Sequence, residues 1–182
     1  DEAVARASGA PVPLQVDRVP ATHARSELVT PELERAVERG LDYLASVQDR
    51  DTGAFGSLSK SKPEPRIAVT SLAALAFLAH GDLPGRGPFG RNAEMAITYL
   101  VNMNRANPRS IQKKPIGNYF TVVNDTLSRM HGHGFATLAA AEAMGMYGIS
   151  KQTGTQAFER LSDAVTDAVA LLENTQSREG GW

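Results

Sequence analysis

Residues Arg39 to Phe55 read RGLDYLASVQDRDTGAF: a charged helical segment ends in glutamine and is followed by a polar turn, a glycine and an aromatic residue. Upstream, Thr30 is suited to cap a helix and Pro31 suits its first position, and apolar residues follow at steps of three and four. This spacing predicts an amphipathic helix that ends near Gln48. Gly40 costs about 1 kcal/mol inside a helix, so we expect it to permit the close approach of a second helix.

The same unit occurs three times along the chain. A shift of 56 residues places Gln48 on Asn104, and a further shift of 72 residues places it on Gln176. Each copy ends in a turn that contains a glycine, which supplies the backbone freedom for a reversal, and then an aromatic residue. We call these the first, second and third closing turns, and their motif residues are Gln48, Gly53 and Phe55; Asn104, Gly117 and Tyr119; and Gln176, Gly180 and Trp182.

Two segments between the amphipathic helices are small or apolar on nearly all faces. They run from Ile67 to Ala79 and from Gly134 to Met146. A helix of this kind is normally surrounded by protein, so both are expected to be inner helices. The pattern predicts an all-α fold with three outer and two inner helices in alternation.

The closing turns resemble the QW motif of the prenyltransferase and squalene-cyclase repeat superfamily. That motif combines basic, small, aromatic and aliphatic residues, then Gln, then Gly and Trp. The first copy matches it with Phe55 in place of Trp, the second has Asn104 for Gln, and the third ends in Trp182 but has Leu171 in place of the first aromatic residue. The resemblance covers Thr30 to Trp182.

This resemblance implies an α/α toroid, of which the chain would supply about half a ring. In such toroids the Gln and aromatic positions support the fold and take no part in chemistry. Repeat units need neighbours to bury both faces. We therefore expect that residues follow Trp182, that two chains associate, or that another chain forms the rest of the toroid.

The residues that carry out the known reactions of the superfamily are absent from this chain. The chain has no cysteine, which excludes the cysteine-zinc prenyltransferase, lanthionine-cyclase and thioester types. The Asp-Asp-x-x-Asp and Asp-x-Asp-Asp motifs are absent, and the nearest string, Asp49 to Thr52, is expected to form a solvated turn. No metal or cofactor is predicted, and the sequence leaves open whether the chain is an enzyme.

Composition limits the partners and the domain organisation. The net charge of -1 gives no general attraction to nucleic acid, and the longest apolar run, Ile67 to Ala79, is shorter than the roughly 20 residues of a membrane span. Three prolines and no helical period predict an extended arm over residues 1–29, followed by one domain over residues 30–182. Because the chain begins with Asp1, we expect a processed product or a fragment, with a slight preference for export.

Several side chains are candidates for a site. His131 and His133 in MHGHGF, placed before the second inner helix, either point the same way in an extended segment and contact a ligand, or cap the helix and fill space. Glu142 is either a general acid with a raised pKa in a dry helix or a rim carboxylate paired with a base. Phe77, Phe135 and Tyr147 either line an apolar cavity or belong to the core.

Three functions follow from the resemblance and the missing motifs. The first is a toroid-like domain that binds an isoprenoid or another hydrophobic small molecule in a central cavity without catalysing a reaction. The second is a noncatalytic scaffold for protein or carbohydrate, and the third is the N-terminal part of a terpene cyclase with its catalytic residues beyond Trp182. Fold alone does not decide among them.

Overall fold

A computed structural model of the protein describes residues 29–56, 65–106, 117–122, 129–149 and 154–181. These residues form five α-helices and one short antiparallel pair of strands, which confirms the all-α prediction. In chain order the elements are α1 (Pro31–Val47), α2 (Arg66–His80), α3 (Gly90–Asn102), β1 (Asn104–Ala106), β2 (Asn118–Phe120), α4 (Arg129–Ile149) and α5 (Gln156–Thr175). The chain divides into two compact units, residues 1–38 and 39–182, with the division inside α1.

The first unit contributes only the start of α1 to the described residues. The Thr30 hydroxyl accepts a hydrogen bond from the Leu33 amide at 3.3 Å, so Thr30 caps the helix as predicted. Glu32 and Arg35 form an exposed ion pair at 2.9 Å, an arrangement that adds little stability in water. All but the last residue of the predicted N-terminal arm lies outside the described residues.

The core of the second unit forms where α2 packs against α4, the most extensive pair of helices. Four alanines of α4 are fully buried, and they are Ala136, Ala139, Ala140 and Ala143. Short side chains let two helix backbones approach closely. In addition, α3 packs against α2, and α5 packs against α4. The two helices predicted as inner thus contact each other, and each contacts a helix predicted as outer.

The segment between α3 and α4 contains a strand pair that the sequence did not indicate. Asn104 of β1 lies opposite Phe120 of β2, and Ala106 lies opposite Asn118. This pairing places the motif residue Asn104 opposite Phe120, next to the motif residue Tyr119, although the two motif residues are far apart in sequence.

A buried carboxylate organises the end of α2. Gly81 adopts φ +101° and closes the helix, and its amide donates to the Leu78 carbonyl. The next residue, Asp82, is 1% exposed; its carboxylate accepts from the Phe89 amide at 3.0 Å and contacts His80 Nδ1 at 2.8 Å. Asp82 fixes the connector that leads into α3.

Gly40 has no close neighbour, contrary to the expectation that it permits helix approach. A Cβ atom built on it meets no described atom within 4 Å, and the residue is exposed in α1. Replacing Gly40 with Ala is therefore expected to raise the free energy of unfolding by about 0.5–1 kcal/mol, because alanine restricts the unfolded chain and favours the helix. Urea denaturation measures this; a loss of stability instead would mean that a neighbour packs against Gly40.

Candidate functional site

The first closing turn is held by the side chain of Gln48. This side chain is 5% exposed, and its Nε2 donates to the Gly53 carbonyl at 2.8 Å and to the Asn92 carbonyl at 3.0 Å. Its Oε1 accepts from Asn92 Nδ2 at 2.7 Å. Gly53 adopts φ +79°, and a Cβ at this position would overlap the Met95 carbonyl group. Gln48 thus joins the end of α1 to the start of α3.

The aromatic residue of the first closing turn packs on α2. Phe55 is 2% exposed, and its amide donates to Thr70 Oγ1 at 2.9 Å. Its ring centroid lies 6.4 Å from that of Phe77, which in turn stacks on Phe89 at 5.7 Å. The turn is therefore anchored to an inner helix by one hydrogen bond and one aromatic contact.

The second closing turn repeats the first. Asn104, which aligns with Gln48, donates from Nδ2 to the Ala164 carbonyl of α5 at 3.3 Å. A Cβ on Gly117 would overlap the Asp167 carbonyl oxygen and the Leu171 amide, just as one on Gly53 would overlap Met95.

The contacted residues of α5 are the equivalents of those of α3. Ala164 follows Asn92 by 72 residues, and Asp167 follows Met95 by the same distance, which is the offset that aligns the second and third copies. Sequence alignment and tertiary contacts therefore define the same repeat.

The third closing turn keeps its internal hydrogen bond. Gln176 Nε2 donates to the Gly180 carbonyl at 2.9 Å, which matches the 2.8 Å bond from Gln48 to Gly53, and Gly180 also has positive φ. Unlike Gln48, Gln176 is exposed, and none of the described residues bonds to its side chain in the way that Asn92 bonds to Gln48. Trp182 lies outside the described residues.

The side chain of His133 on α4 accepts a backbone hydrogen bond at the second closing turn, as the side chain of Thr70 on α2 does at the first. Its Nδ1 accepts from the Phe120 amide at 3.2 Å, and its Nε2 lies 3.3 Å from the Ala168 carbonyl, to which it donates as the neutral tautomer. Tyr119 stacks on the imidazole with centroids 4.9 Å apart. His133 has 0% exposure, and this burial lowers its pKa below the ordinary value of 6.5, although the bond to Ala168 acts in the opposite direction. Both ring nitrogens already have protein partners, so the ring offers no free nitrogen to a ligand.

The prediction that MHGHGF precedes the helix is wrong, because α4 begins at Arg129. Residues two apart on a helix point to different sides; accordingly, His131 is exposed and His133 is buried. The two imidazoles do not converge on one ligand. Among the described residues no group of three His, Asp or Glu side chains is placed to hold a metal ion.

The other candidates separate into core and surface. Phe77 is fully buried between Phe55 and Phe89, and Tyr147 is 8% exposed with its ring 6.3 Å from that of Phe158. Both belong to the core. Phe135 and Glu142 are exposed on α4, so Glu142 does not have the dry surroundings that the general-acid interpretation requires.

Large apolar side chains remain exposed on α2 and α4. Val69 and Leu72 of α2 are 38% and 49% exposed, and Phe135 and Leu138 of α4 have the same values. The first turns of these helices lie side by side, because a Cβ on Gly132 would lie 3.4 Å from Ile67 and 3.6 Å from the Ala68 amide. The four exposed residues follow within the next two turns of each helix. We call these four residues the open face.

Sequence reasoning identified only Phe135 on the open face. Val69 and Leu72 lie in a segment that is apolar on nearly every side, and its polar residues Thr70 and Ser71 are buried, so polarity does not mark the exposed side of α2. On α4 a polar mark exists, because exposed Glu142 follows Leu138 by four residues and therefore lies on the same side of the helix. On α4 a further signal exists in the size of the residues, because four of its buried positions are alanine whereas Phe135 and Leu138 are exposed. On α2 size gives no such signal, because Ile67, Phe77 and Leu78 are buried.

Among the described helices, none combines the length and the apolar character that a membrane crossing requires.

Comparison with known proteins found no relative of this chain. The resemblance to the QW-repeat superfamily thus depends on the closing-turn residues and on their repeated contacts. No protein-family model, curated protein or solved structure matches this chain.

Proposed function

We propose that the chain is part of an α/α repeat domain, similar to those of prenyltransferases and squalene cyclases, that binds an isoprenoid or another elongated hydrophobic molecule on its open face. The repeated contacts of the closing turns support this type of repeat. Gln48 and Asn104 contact equivalent positions of α3 and α5, and Gly53 and Gly117 do the same. The open face belongs to the two helices that such a repeat would direct towards a central cavity.

The observation that carries the proposal is the exposure of four large apolar side chains on neighbouring helices. Contiguous apolar surface on a folded domain usually marks a binding site. Two glycines of α4, Gly134 and Gly145, lie four residues before and seven after Leu138, and no described atom lies within 4 Å of a Cβ built on them. Each costs about 1 kcal/mol relative to alanine in a helix, and packing within the described residues gives no reason for that cost. A surface that must admit a ligand closely does give one.

The site we propose binds and does not catalyse. The only acidic string related to the cyclase motif forms a turn, in which the Asp49 carboxylate accepts from the amides of Asp51 and Thr52 at 3.0 and 2.9 Å. These bonds, the one from Thr52 foremost, lower the pKa of Asp49. The place of the proton-donating middle Asp of that motif is taken by Asp51, which is exposed in this turn rather than enclosed in a cavity.

A protein segment is the alternative occupant of the open face. The four side chains are open to solvent rather than enclosed, and an amphipathic helix of a partner can also cover a shallow apolar surface. This alternative corresponds to a noncatalytic scaffold. It shares the residues of the open face with the lipid proposal, and only the ligand distinguishes the two.

The test uses farnesol as the hydrophobic probe and a matched pair of valines. Val69 on α2 and Val169 on α5 are 38% and 39% exposed, so Val69→Gln and Val169→Gln remove equal apolar surface from an inner and an outer helix. With free farnesol at about 100 times its Kd, we expect the melting temperature of the wild type and of V169Q to rise by roughly 5–10 °C. A V69Q/L138Q variant should lose most of that shift.

Two outcomes would contradict the proposal. One is the absence of any farnesol-dependent shift in the wild type, together with no lipid retained in native mass spectrometry. The other is an equal shift in V69Q/L138Q and V169Q, which would place the ligand elsewhere. Binding of a partner protein that V69Q/L138Q abolishes, without farnesol binding, would favour the scaffold.

A further inference from the structure

A pocket of about 350 Å³ lies beside the first closing turn, and the open-face residues are not among those that line it. This volume suits a small molecule. The pocket lies within the second unit, between the end of α1 and the start of α3. Its lining residues are Ala45, Gln48, Arg50, Arg91, Asn92 and Met95.

The polar part of the pocket wall is fixed in place. Gln48 and Asn92 hold each other through two hydrogen bonds, Gln48 Nε2 to the Asn92 carbonyl and Asn92 Nδ2 to Gln48 Oε1, at 3.0 and 2.7 Å. An amide nitrogen carries two hydrogens, so Asn92 Nδ2 keeps one for a further acceptor. The wall therefore presents a donor whose position is already set by the fold.

Two arginines give this pocket a positive charge. Arg50 and Arg91 are exposed and line it, and neither has an acidic partner in the part of the chain that the structure describes. Two of the neighbouring carboxylates have contacts of their own, and exposed Asp51 forms no ion pair with Arg50. Asp49 accepts from the amides of its own turn, and the Glu94 carboxylate lies beside Gly85 and the connector before α3. The positive charge is local, since the chain as a whole has a net charge of -1.

We propose that this pocket binds the oxyanion of a small ligand, a carboxylate or a phosphate, between the guanidinium groups of Arg50 and Arg91. Arginine presents paired N–H donors that match both groups. Ala45 and Met95 supply an apolar wall, so the ligand we expect carries a short apolar part next to its anionic group. This site is independent of the open face and of the function proposed for it.

Isothermal titration of the full chain tests the proposal, with inorganic phosphate and citrate as probes at constant ionic strength. The main variant is Arg50→Gln with Arg91→Gln. Arg178→Gln is the matched control, because Arg178 follows Gln176 by two residues as Arg50 follows Gln48, and it lies in an exposed turn. Sodium chloride titrated alone measures the effect of charge screening.

We expect saturable binding of at least one probe to the wild type and to R178Q, and binding about tenfold or more weaker to R50Q/R91Q. Arg91→Lys keeps the charge but loses the fork of donors, so it should fall between the two. Tighter binding of phosphate or of citrate identifies which oxyanion the site prefers. Farnesol binding should be the same in R50Q/R91Q as in the wild type.

The proposal is overturned if neither probe gives saturable heat with the wild type, or if R50Q/R91Q binds as tightly as R178Q. An equal response to chloride at the same ionic strength would also overturn it, because screening alone would then explain the heat. Both arginine side chains are exposed and make no hydrogen bond among the described residues, so the variants should fold. Should the double variant be unstable, R50Q alone is compared with R178Q, since each removes one arginine from the same place in a closing turn.

Discussion

Replacing Gly117 with alanine is expected to lower the free energy of unfolding by about 3 kcal/mol or more. Gly117 adopts φ +95°, a backbone conformation that strains any residue with a side chain. The new Cβ would also overlap the Asp167 carbonyl oxygen and the Leu171 amide of α5. These are backbone atoms of a helix, so no side-chain rotation relieves the overlap. Urea denaturation at neutral pH gives the free energy directly.

Gly81→Ala separates the destabilisation due to backbone strain from that due to steric overlap. Gly81 has φ +101°, close to that of Gly117, but a Cβ there meets no described atom within 4 Å. Its replacement should cost only the backbone strain, about 1–2 kcal/mol. Gly53→Ala should resemble G117A, because Gly53 makes the equivalent approach to Met95. If G117A costs no more than G81A, the closing turn does not pack on α5 as the repeat requires.

The closing turns were predictable because much of their structure is local. A Gln five residues before a Gly can reach that glycine's carbonyl within one turn, and Gln48 and Gly53 do so. The three copies also share residue types at aligned positions, which strengthens a weak local pattern. The partners Asn92 and Ala164 were not predictable, because their carbonyls carry no residue-specific signal and lie on the next outer helix.

The candidate site was less predictable, for reasons that individual residues make clear. The low helix propensity of Gly132 favoured a helix that starts after it, at Gly134, but Gly132 lies within α4 and packs against Ile67 and Ala68; such tertiary contacts override propensity. Phe77 is fully buried, whereas Phe135 is 38% exposed. Both lie in apolar helices, so their residue type does not tell core from surface.

The proximity of the two arginines in the oxyanion pocket could not be predicted from the sequence. Arg50 lies in a turn and Arg91 at the start of a helix, and the sequence gives no spacing that relates them. They line one pocket because Gln48 binds Asn92, which brings the end of α1 and the start of α3 together. A site assembled across a repeat interface becomes visible only once that interface is known.

The buried imidazole of His133 leads to the second large effect. Replacing His133 with alanine removes the acceptor for the Phe120 amide, the donor to the Ala168 carbonyl and the ring that stacks on Tyr119. Loss of buried hydrogen bonds and the cavity left behind should together cost about 3 kcal/mol at pH 7.5. His131→Ala is the matched control, because His131 lies on the same helix but is exposed, and it should change stability by less than about 0.5 kcal/mol.

The same pair of variants determines the effect of pH. Because burial lowers the pKa of His133 below 6.5, the stabilisation from its neutral form is complete above pH 6.5. As the pH falls below 6.5, the unfolded chain binds a proton that the folded protein does not, so the free energy of unfolding decreases until the lowered pKa is reached. A proton on Nδ1 would also face the Phe120 amide and displace its hydrogen bond.

Urea denaturation from pH 7.5 to 5 should therefore show a decline in the wild type and in H131A that is absent or much smaller in H133A. Two carboxyl groups, those of Glu32 and Asp49, have lowered pKa values. They change the free energy of unfolding mainly at pH values below their ordinary pKa values of 4.5 and 3.8, outside this range. His80 and its contact with Asp82 are present in all three proteins, so the difference between them isolates His133. Parallel pH curves for the wild type and H133A would show that the imidazole is not buried as a neutral group, and the second closing turn would then need another anchor on α4.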